Sequence, residues 1–441
     1  MNVALTKPTT EQPFSELFAA ARGRLPGSGS VADARQAAFD DFARRGLPHR
    51  RIEEWKYTDL RALLRDIAPL APAPDKAAMA CATAAVKALG IGGMQNLVLV
   101  DGVFAAQLSD VASFENGVHL QTLRDALEDS SNKGRAGLLA TKVAPDAMIS
   151  LNAAMATDGI VIAIDDNAKL SKPIHIVHVA TASGTSAFTR SLVKIGRGAH
   201  LTLVESFVAA DGAKSYQAYD SVAVSLSDEA QLQHVRLMDD ARDAANITTA
   251  AFTLGAKTKL NTFGLTNGGA VSRYQGFITF AGEGSELTTN GVNLLGGRRH
   301  GDTTLVIDHA VPNCSSREEF RAVLEDRAHS VFQGRIIVQP DAQKTDGKMM
   351  TRALLLSDEA EADNKPELEI FADDVTCGHG ATTGALDESL LFYLRARGLP
   401  EKEAQALLIA AFVGEAIESI VSDDLREFAI ATAERWLATR G

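Results

Sequence analysis

The sequence predicts a mainly β protein with flanking α structure, a parallel β-helix core set between an N-terminal and a C-terminal helical region. Three features point there. The hydrophobic period is three-and-four at both ends of the chain and two in between. The middle holds strand-like runs, among them "NLVLVDG", "GIVIAID", "PIHIVHVA", "LTLVESFV", "FITFAG" and "RIIVQP", parted by short Gly/Asp/Ser turns with almost no helix-length segments. A motif also repeats. In "DDNAKL", "GRGAHL", "SDEAQL", "LGAKTKL" and "GEGSEL" a turn leads to Leu170, Leu201, Leu232, Leu260 and Leu287, at steps of 31, 31, 28 and 27 residues. Such steps signal a solenoid. "EDRAHS" and "SDEAEA" extend the repeat to Ser330 and Ala362, with "AVPNCSSREEF" as an insertion in the longer step.

One turn and two strands per step is one coil of a β-helix, whose inward side chains stack into a continuous core. A β-sandwich with accidental periodicity is the competing reading. Leucine-rich repeats lack their signature here, and ankyrin-type repeats would need helices.

Residues 1–95 form the N-terminal helical region. "PFSELFAAARGRL" and "SVADARQAAFDDFARRGLP" are amphipathic, "RRIEEWKYTDLRALL" sets Trp55, Leu60, Leu63 and Leu64 on one face, and "APLAPAPDKAA" reads as a linker. Residues 96–386 form the core. In the C-terminal region, 387–441, Asp387 caps "ESLLFYLRAR" and Gly398 closes it at C′. Pro400 opens "EKEAQALLIAAFVGEAIESIV" as an N1 proline, and "DDLREFAIATAERWLATR" places Leu425, Phe428, Ala429 and Trp436 together. A solenoid's open ends need covers, so these helices could simply be caps.

Composition narrows the function classes. A net charge of −12 without a long basic run argues against nucleic acid. "MNVALTKPTTEQPFSELF" lacks a signal-peptide core, and the most apolar window, "ALLIAAFVGEAIESIV", is broken by Gly414, Glu415 and Glu418. The expectation is a soluble, cytoplasmic protein with no membrane partner. Three cysteines, Cys81, Cys314 and Cys377, make no disulfide framework and cannot supply a four-cysteine iron–sulfur or zinc site. Any cluster needs histidine, carboxylate, water or a second chain. No P-loop, G-x-S-x-G elbow or H-E-x-x-H motif occurs, nor the acidic cluster of a calcium-dependent β-helix carbohydrate enzyme. No catalytic constellation is expected.

The candidate site is Cys377-Gly378-His379 in "FADDVTCGHGATTG". On a strand, residues two apart share a face. Thiolate and imidazole are both good iron or zinc ligands, and a nearby histidine can lower a thiol pKa. An ordinary tight turn is the alternative, because two ligands do not make a site. His309 and Cys314 form a looser pair in the expected insertion. Cys81 reads as a buried small hydrophobe, and His175 and His178 fall on opposite strand faces.

The stretch "GRIIVQPDAQKTDGKMMTRALLLSDEAEADNKPELEIFADDVTCGHGATTGALDESLLFYLRARGLP" closely resembles the SufB/SufD family of iron–sulfur cluster assembly proteins. "PDAQKTD", "LLLSD", "KPELEIFADDV", C-x-H-G-A-T-x-G and "FYLRARG" match its SufD branch, and "RRIEEWKYTDL" is similar too. Gly378 stands where that branch usually has serine. The resemblance implies a right-handed β-helix and a non-catalytic scaffold subunit of the SUF (SufBCD) complex. It implies pairing with SufB through the β-helices and docking of the ABC-type ATPase SufC on the C-terminal helices. This chain would bind no ATP itself, and SufC movement would be transmitted through the helices after Asp387. His379, and with less weight Cys377, would be metal ligands to a nascent iron–sulfur cluster shared with the partner, the sulfur coming from a cysteine desulfurase. Reduced flavin accompanies some such complexes, with no residue here assigned to it. The resemblance admits a homodimer in isolation. A SufB-like homodimeric scaffold is the alternative, against which the Cys-Gly-His corner argues; a β-helix carbohydrate enzyme is a more distant one.

Overall fold

The computed structural model describes residues 11–438 apart from Arg65 and Lys142. The leader reading of the first ten residues, and the end of "ERWLATR", lie outside the described residues. Strands from Ile160–Ile164 to Thr376–Gly384 alternate between a ten-stranded and a nine-stranded sheet. From Ser186–Ile195 onward each strand pairs in parallel, in register, with the strand two before it. The result is a right-handed parallel β-solenoid of about eight turns.

The repeated turns build this register. Asn167, Gly198, Glu229, Lys257, Gly284, Asn313 and Lys344 all have left-handed backbone, with φ between 55° and 72°. Stacked turns are then tied coil to coil. The Gly198 N–H donates to Asp228 O at 2.9 Å, Glu229 to Ala256 O at 2.7 Å, Lys257 to Glu283 O at 2.8 Å and Lys344 to Asp374 O at 2.7 Å. Non-glycine residues adopt this backbone at a cost of about 1 kcal/mol each, which these hydrogen bonds help offset.

Leu201, Leu232, Leu260 and Leu287 follow these turns and stand side by side in one inward column. The column continues through Ser316 and Gly347 to Cys377, which corrects the extension to Ser330 and Ala362. Those two residues belong to the nine-stranded sheet, in His329–Val338 and Glu361–Ile370. "AVPNCSSREEF" is no insertion either; it holds the Asn313 turn and most of the ordinary strand Ser315–Leu324. Serine and then glycine replace leucine there, so the apolar signature fades while the backbone register persists.

Helix enters the solenoid where the sequence shows little sign of it. Between the first coils lie Leu123–Glu128 and Ala147–Met155. In the latter, "AMISLNAAM", every residue but Ser150 is buried. A helix apolar on all sides carries no amphipathic period.

The terminal helices cover flanks, not ends. Phe14, Phe39, Phe42 and Trp55 of the N-terminal region pack with Phe188, Tyr219, Ile247 and Val271 on the outer face of the nine-stranded sheet. Helices Glu401–Ile417 and Asp423–Ala438 set Ile409, Val413, Ile417, Leu425 and Trp436 against Val204, Val235, Phe263 and Val292 of the ten-stranded sheet. The end-cap reading is thereby corrected. Asp387 caps Glu388–Ala396 as expected, while Pro400 sits one residue before its helix rather than within it. Among the described residues no helix is long and apolar enough to cross a membrane.

The segment "RRIEEWKYTDL" is the clamp between the N-terminal region and the solenoid. Arg273 is wholly buried, with its guanidinium 3.7 Å from the Trp55 ring centroid. It donates to Glu54 O at 2.6 Å and pairs with buried Asp302, to which Thr58 also donates. The Trp55 indole N–H reaches Asp146 Oδ2 at 2.8 Å. Removing one partner of a buried ion pair strands the other charge. We expect Arg273→Ala to lower stability by about 3–5 kcal/mol in urea titration, with a red shift in Trp55 emission.

Candidate functional site

The solenoid ends in two edge strands of different character. Glu361–Ile370, "EADNKPELEI", carries five charges and a proline, the usual defence of an exposed edge. Thr376–Gly384, "TCGHGATTG", has no fully charged side chain and is rich in small residues. It pairs on one side with Asp346–Leu355 and ends the ten-stranded sheet, so its other edge has no neighbouring strand among the described residues.

Cys377-Gly378-His379 therefore lies on a strand, not in a turn. The register sets Cys377 beside Gly347 and His379 beside Met349, so both side chains occupy inward columns. Being in the last coil, they line the solenoid's open end. Cys377 is half-buried against the luminal core, whereas His379 is exposed. A Cβ at Gly378 would meet nothing within 4 Å, so the serine of the SufD branch fits there without displacement. At Gly380 it would come within 2.7 Å of Met350 Sδ.

The Cys377 thiol pKa is raised. Burial is the main cause, and the carboxylates of Asp346 and Glu318 add to it. The expectation that His379 would lower it is corrected, because apolar burial and two acids outweigh a neighbouring exposed imidazole.

Glu318 is the residue sequence reasoning missed. It shares a column with Met349 and His379, is buried, and has its carboxyl pushed up to about 8 by burial. The sequence places its strand in an apparent insertion; only the column register reveals that it faces the lumen beneath the site.

The remaining candidates disperse. His309 is fully buried, stacked on Phe280 at 4.3 Å, with Nε2 sharing a hydrogen bond with Ser316 Oγ at 3.1 Å. Burial lowers its pKa to about 4 and raises that of the buried Cys314 thiol. Both are core residues. His175 lies on the outer face, buried between Asn96 at 3.0 Å and Ser206 at 2.7 Å, while His178 turns inward onto Phe207. Cys81 is exposed, a correction, because Met79, Ala82, Ala85 and Val86 form the helix face against the sheet. Cys377 and His379 belong to no group of three metal-ligating side chains among the described residues.

The raised pKa of Glu318 has a pH consequence. The native state holds its proton up to about 8, whereas an unfolded glutamate loses it near 4.3. Stability from this group is full below the unfolded pKa and falls as pH rises towards 8. Glu318→Gln should recover about 1 kcal/mol or more at pH 8.5 relative to wild type, and little at pH 4.5, in paired urea titrations. Equal curves at both values would remove Glu318 from the titration.

Two family models cover most of the chain. The SufBD protein N-terminal region matches residues 8–176, and the SUF system FeS cluster assembly SufBD core domain matches residues 178–412. The chain is 30% identical to the Escherichia coli iron–sulfur cluster assembly protein SufD over 404 residues, 90% of each chain. It is 30% identical over 434 residues to an iron–sulfur cluster assembly SufBD family protein of Synechocystis, covering 95% of this chain and 94% of that one. Bacillus subtilis SufD is 26% identical over 314 residues, 67% of this chain and 68% of that one. With the solenoid, its flanking helices and the Cys-x-His edge strand in place, the chain belongs to the SufB/SufD family of SUF-system iron–sulfur cluster assembly proteins.

Proposed function

We propose that the chain is a non-catalytic scaffold subunit of a SufBCD-type complex in the cytoplasm, pairing with SufB through the open end of its solenoid and docking SufC on its C-terminal helices. The observation that carries this is the last coil. An uncharged, glycine-rich edge strand with unpaired backbone groups is a template for another strand, and it presents Cys377 and His379 at the seam. Two ligands from this chain leave the remaining positions of a nascent cluster to the partner, which suits cargo that must be passed on. ATP stays with SufC, and reduced flavin, where the complex uses it, enters through the complex, with no residue of this chain assigned to it.

The helical region supplies a second surface. Helix Glu388–Ala396 has no buried residue, and Phe392 and Val421 are 74% and 70% exposed. Leu390, Tyr393, Leu407 and Ile430 are exposed as well. The inner side of Glu401–Ile417 and Asp423–Ala438 is fixed on the solenoid, so a partner gripping the outer side could transmit movement to the sheet. Deleting these helices would bare that sheet; point substitutions on the outer side are the cleaner test.

In anaerobic reconstitution with the partner subunits, His379→Ala should leave the complex intact and cut cluster yield by about tenfold. Cys377→Ala should cost less, because its half-buried thiol, with a raised pKa, must first lose a proton. Normal yield from the His379 variant would remove it from the ligand set, and equal losses would overturn the ranking. Separately, Phe392→Ser with Val421→Ser should weaken capture of the ATPase by about tenfold or more while SufB still co-purifies. Unchanged capture would assign these helices to the solenoid alone.

A further inference from the structure

Among the described residues, one trio of metal-ligating side chains stands together at the opposite end of the lumen from Cys377. One ligand atom each from His178, Glu205 and Asp220 lies within 4.8 Å of the other two. They come from three strands: Ile174–Ala180 and His200–Ala209 of the ten-stranded sheet, and Gln217–Leu226 of the nine-stranded sheet. Two neighbouring coils thus aim three donors at one point across the solenoid.

Each donor has an unused atom. His178 Nε2, Glu205 Oε1 and Asp220 Oδ2 have no hydrogen-bond partner, and the Glu205 and Asp220 side chains belong to residues only 1% and 3% exposed. A buried carboxylate oxygen left alone costs about 1–3 kcal/mol, and three residues of one such cluster each keeping an unpartnered atom is unusual for a structural core. The other Glu205 oxygen is already engaged by His234 Nε2 at 2.6 Å, which fixes the carboxylate's orientation as a second-layer partner does around a metal.

The surrounding charges leave room for a cation. Burial opposes ionisation of Glu205, but His234 and Arg236 outweigh it and hold that carboxyl below the ordinary range. Burial pushes the carboxyls of Asp220 and Asp240 up. Arg236 faces this group with Nε and Nη2 themselves unpartnered, and Arg190 approaches Asp220 from the outer side of the wall. A dication beside Asp220 would offset the burial that disfavours its charged form.

A cavity of about 30 Å³ adjoins, lined by His178, Thr189, Tyr216 and Asp240 among others, with space for water ligands. His178, the half-buried member of the trio, is the one that also lines this cavity. One imidazole nitrogen and two carboxylates without thiolate suit zinc, manganese or ferrous iron; they do not select copper(I), which prefers sulfur.

We propose that His178, Glu205 and Asp220 bind one divalent first-row transition-metal ion inside the solenoid. This site is independent of the Cys377–His379 edge.

The test uses the purified full-length chain under anaerobic conditions, loaded separately with Zn(II) and Fe(II), desalted and assayed for metal by mass spectrometry. Wild type and the Cys377→Ala/His379→Ala double variant should each retain about one equivalent of at least one ion. Glu205→Gln/Asp220→Asn should retain less than about a tenth of that, with an unchanged circular dichroism spectrum. Zinc-soaked wild-type crystals should show an anomalous peak among the three side chains, which decides the matter even where the double variant fails to fold. No retention by wild type, equal retention by the Gln/Asn variant, or a peak elsewhere would each overturn the proposal.

Discussion

The coil-to-coil register is the constraint on which the rest of the molecule depends. The left-handed turn residues, from Asn167 to Lys344, recur at intervals of 27 to 31 residues, and Asn167, Gly198, Glu229, Lys257, Asn313 and Lys344 hand their N–H groups to the next coil. Because successive side chains in a strand alternate between faces, a one-residue slip would exchange lumen for surface along a whole strand. The turns prevent that slip. Variation in coil length is absorbed outside the strands, so the inward columns run unbroken from Leu201 to Cys377.

A solenoid built this way has two flanks and two ends, and the chain treats them differently. The flanks are covered by its own helices, through Phe14, Phe42 and Trp55 on one sheet and Ile409, Val413 and Trp436 on the other. The last coil is left open. One of its edge strands is guarded by Glu361, Asp363, Lys365, Pro366, Glu367 and Glu369, and the other is bare. Selective protection of one strand leaves the other as the place where a second chain can add.

Much of the fold is legible in the sequence because a solenoid is a local, repeating solution. The leucines at Leu201, Leu232, Leu260 and Leu287 report an inward column directly. Legibility ends where the column stops being apolar, at Ser316 and Gly347, since a side-chain pattern cannot follow a register that the backbone alone maintains. The same gap hid Glu318. Likewise, "AMISLNAAM" is helical but buried all round, and an amphipathic search does not find it. Cys377 and His379 are visible as a strand-parity pair; that burial and acids raise the thiol is not, because Asp346 comes from the adjacent coil and Glu318 from the coil before that, 31 and 59 residues away in sequence.

The interior carries a cost that a plain apolar solenoid would avoid. Buried Glu205, Asp220, His234, Arg236 and Glu318 all stand on inward columns. Substituting well-packed hydrophobic groups for buried charges is often neutral or stabilising, so stability alone does not favour them. Their placement is not uniform, either. Of the acids on these columns with raised pKa values, Asp220 lies in the His178 trio at one end and Glu318 beneath Cys377 at the other, while the leucine column fills the lumen between. An acid whose charged form burial disfavours gains most from a cation that arrives beside it, and metal binding releases whatever proton a ligand holds. On the proposed function, that same economy of charge would let the open end accept iron and sulfide with the partner and give them up again without leaving a bare charge behind.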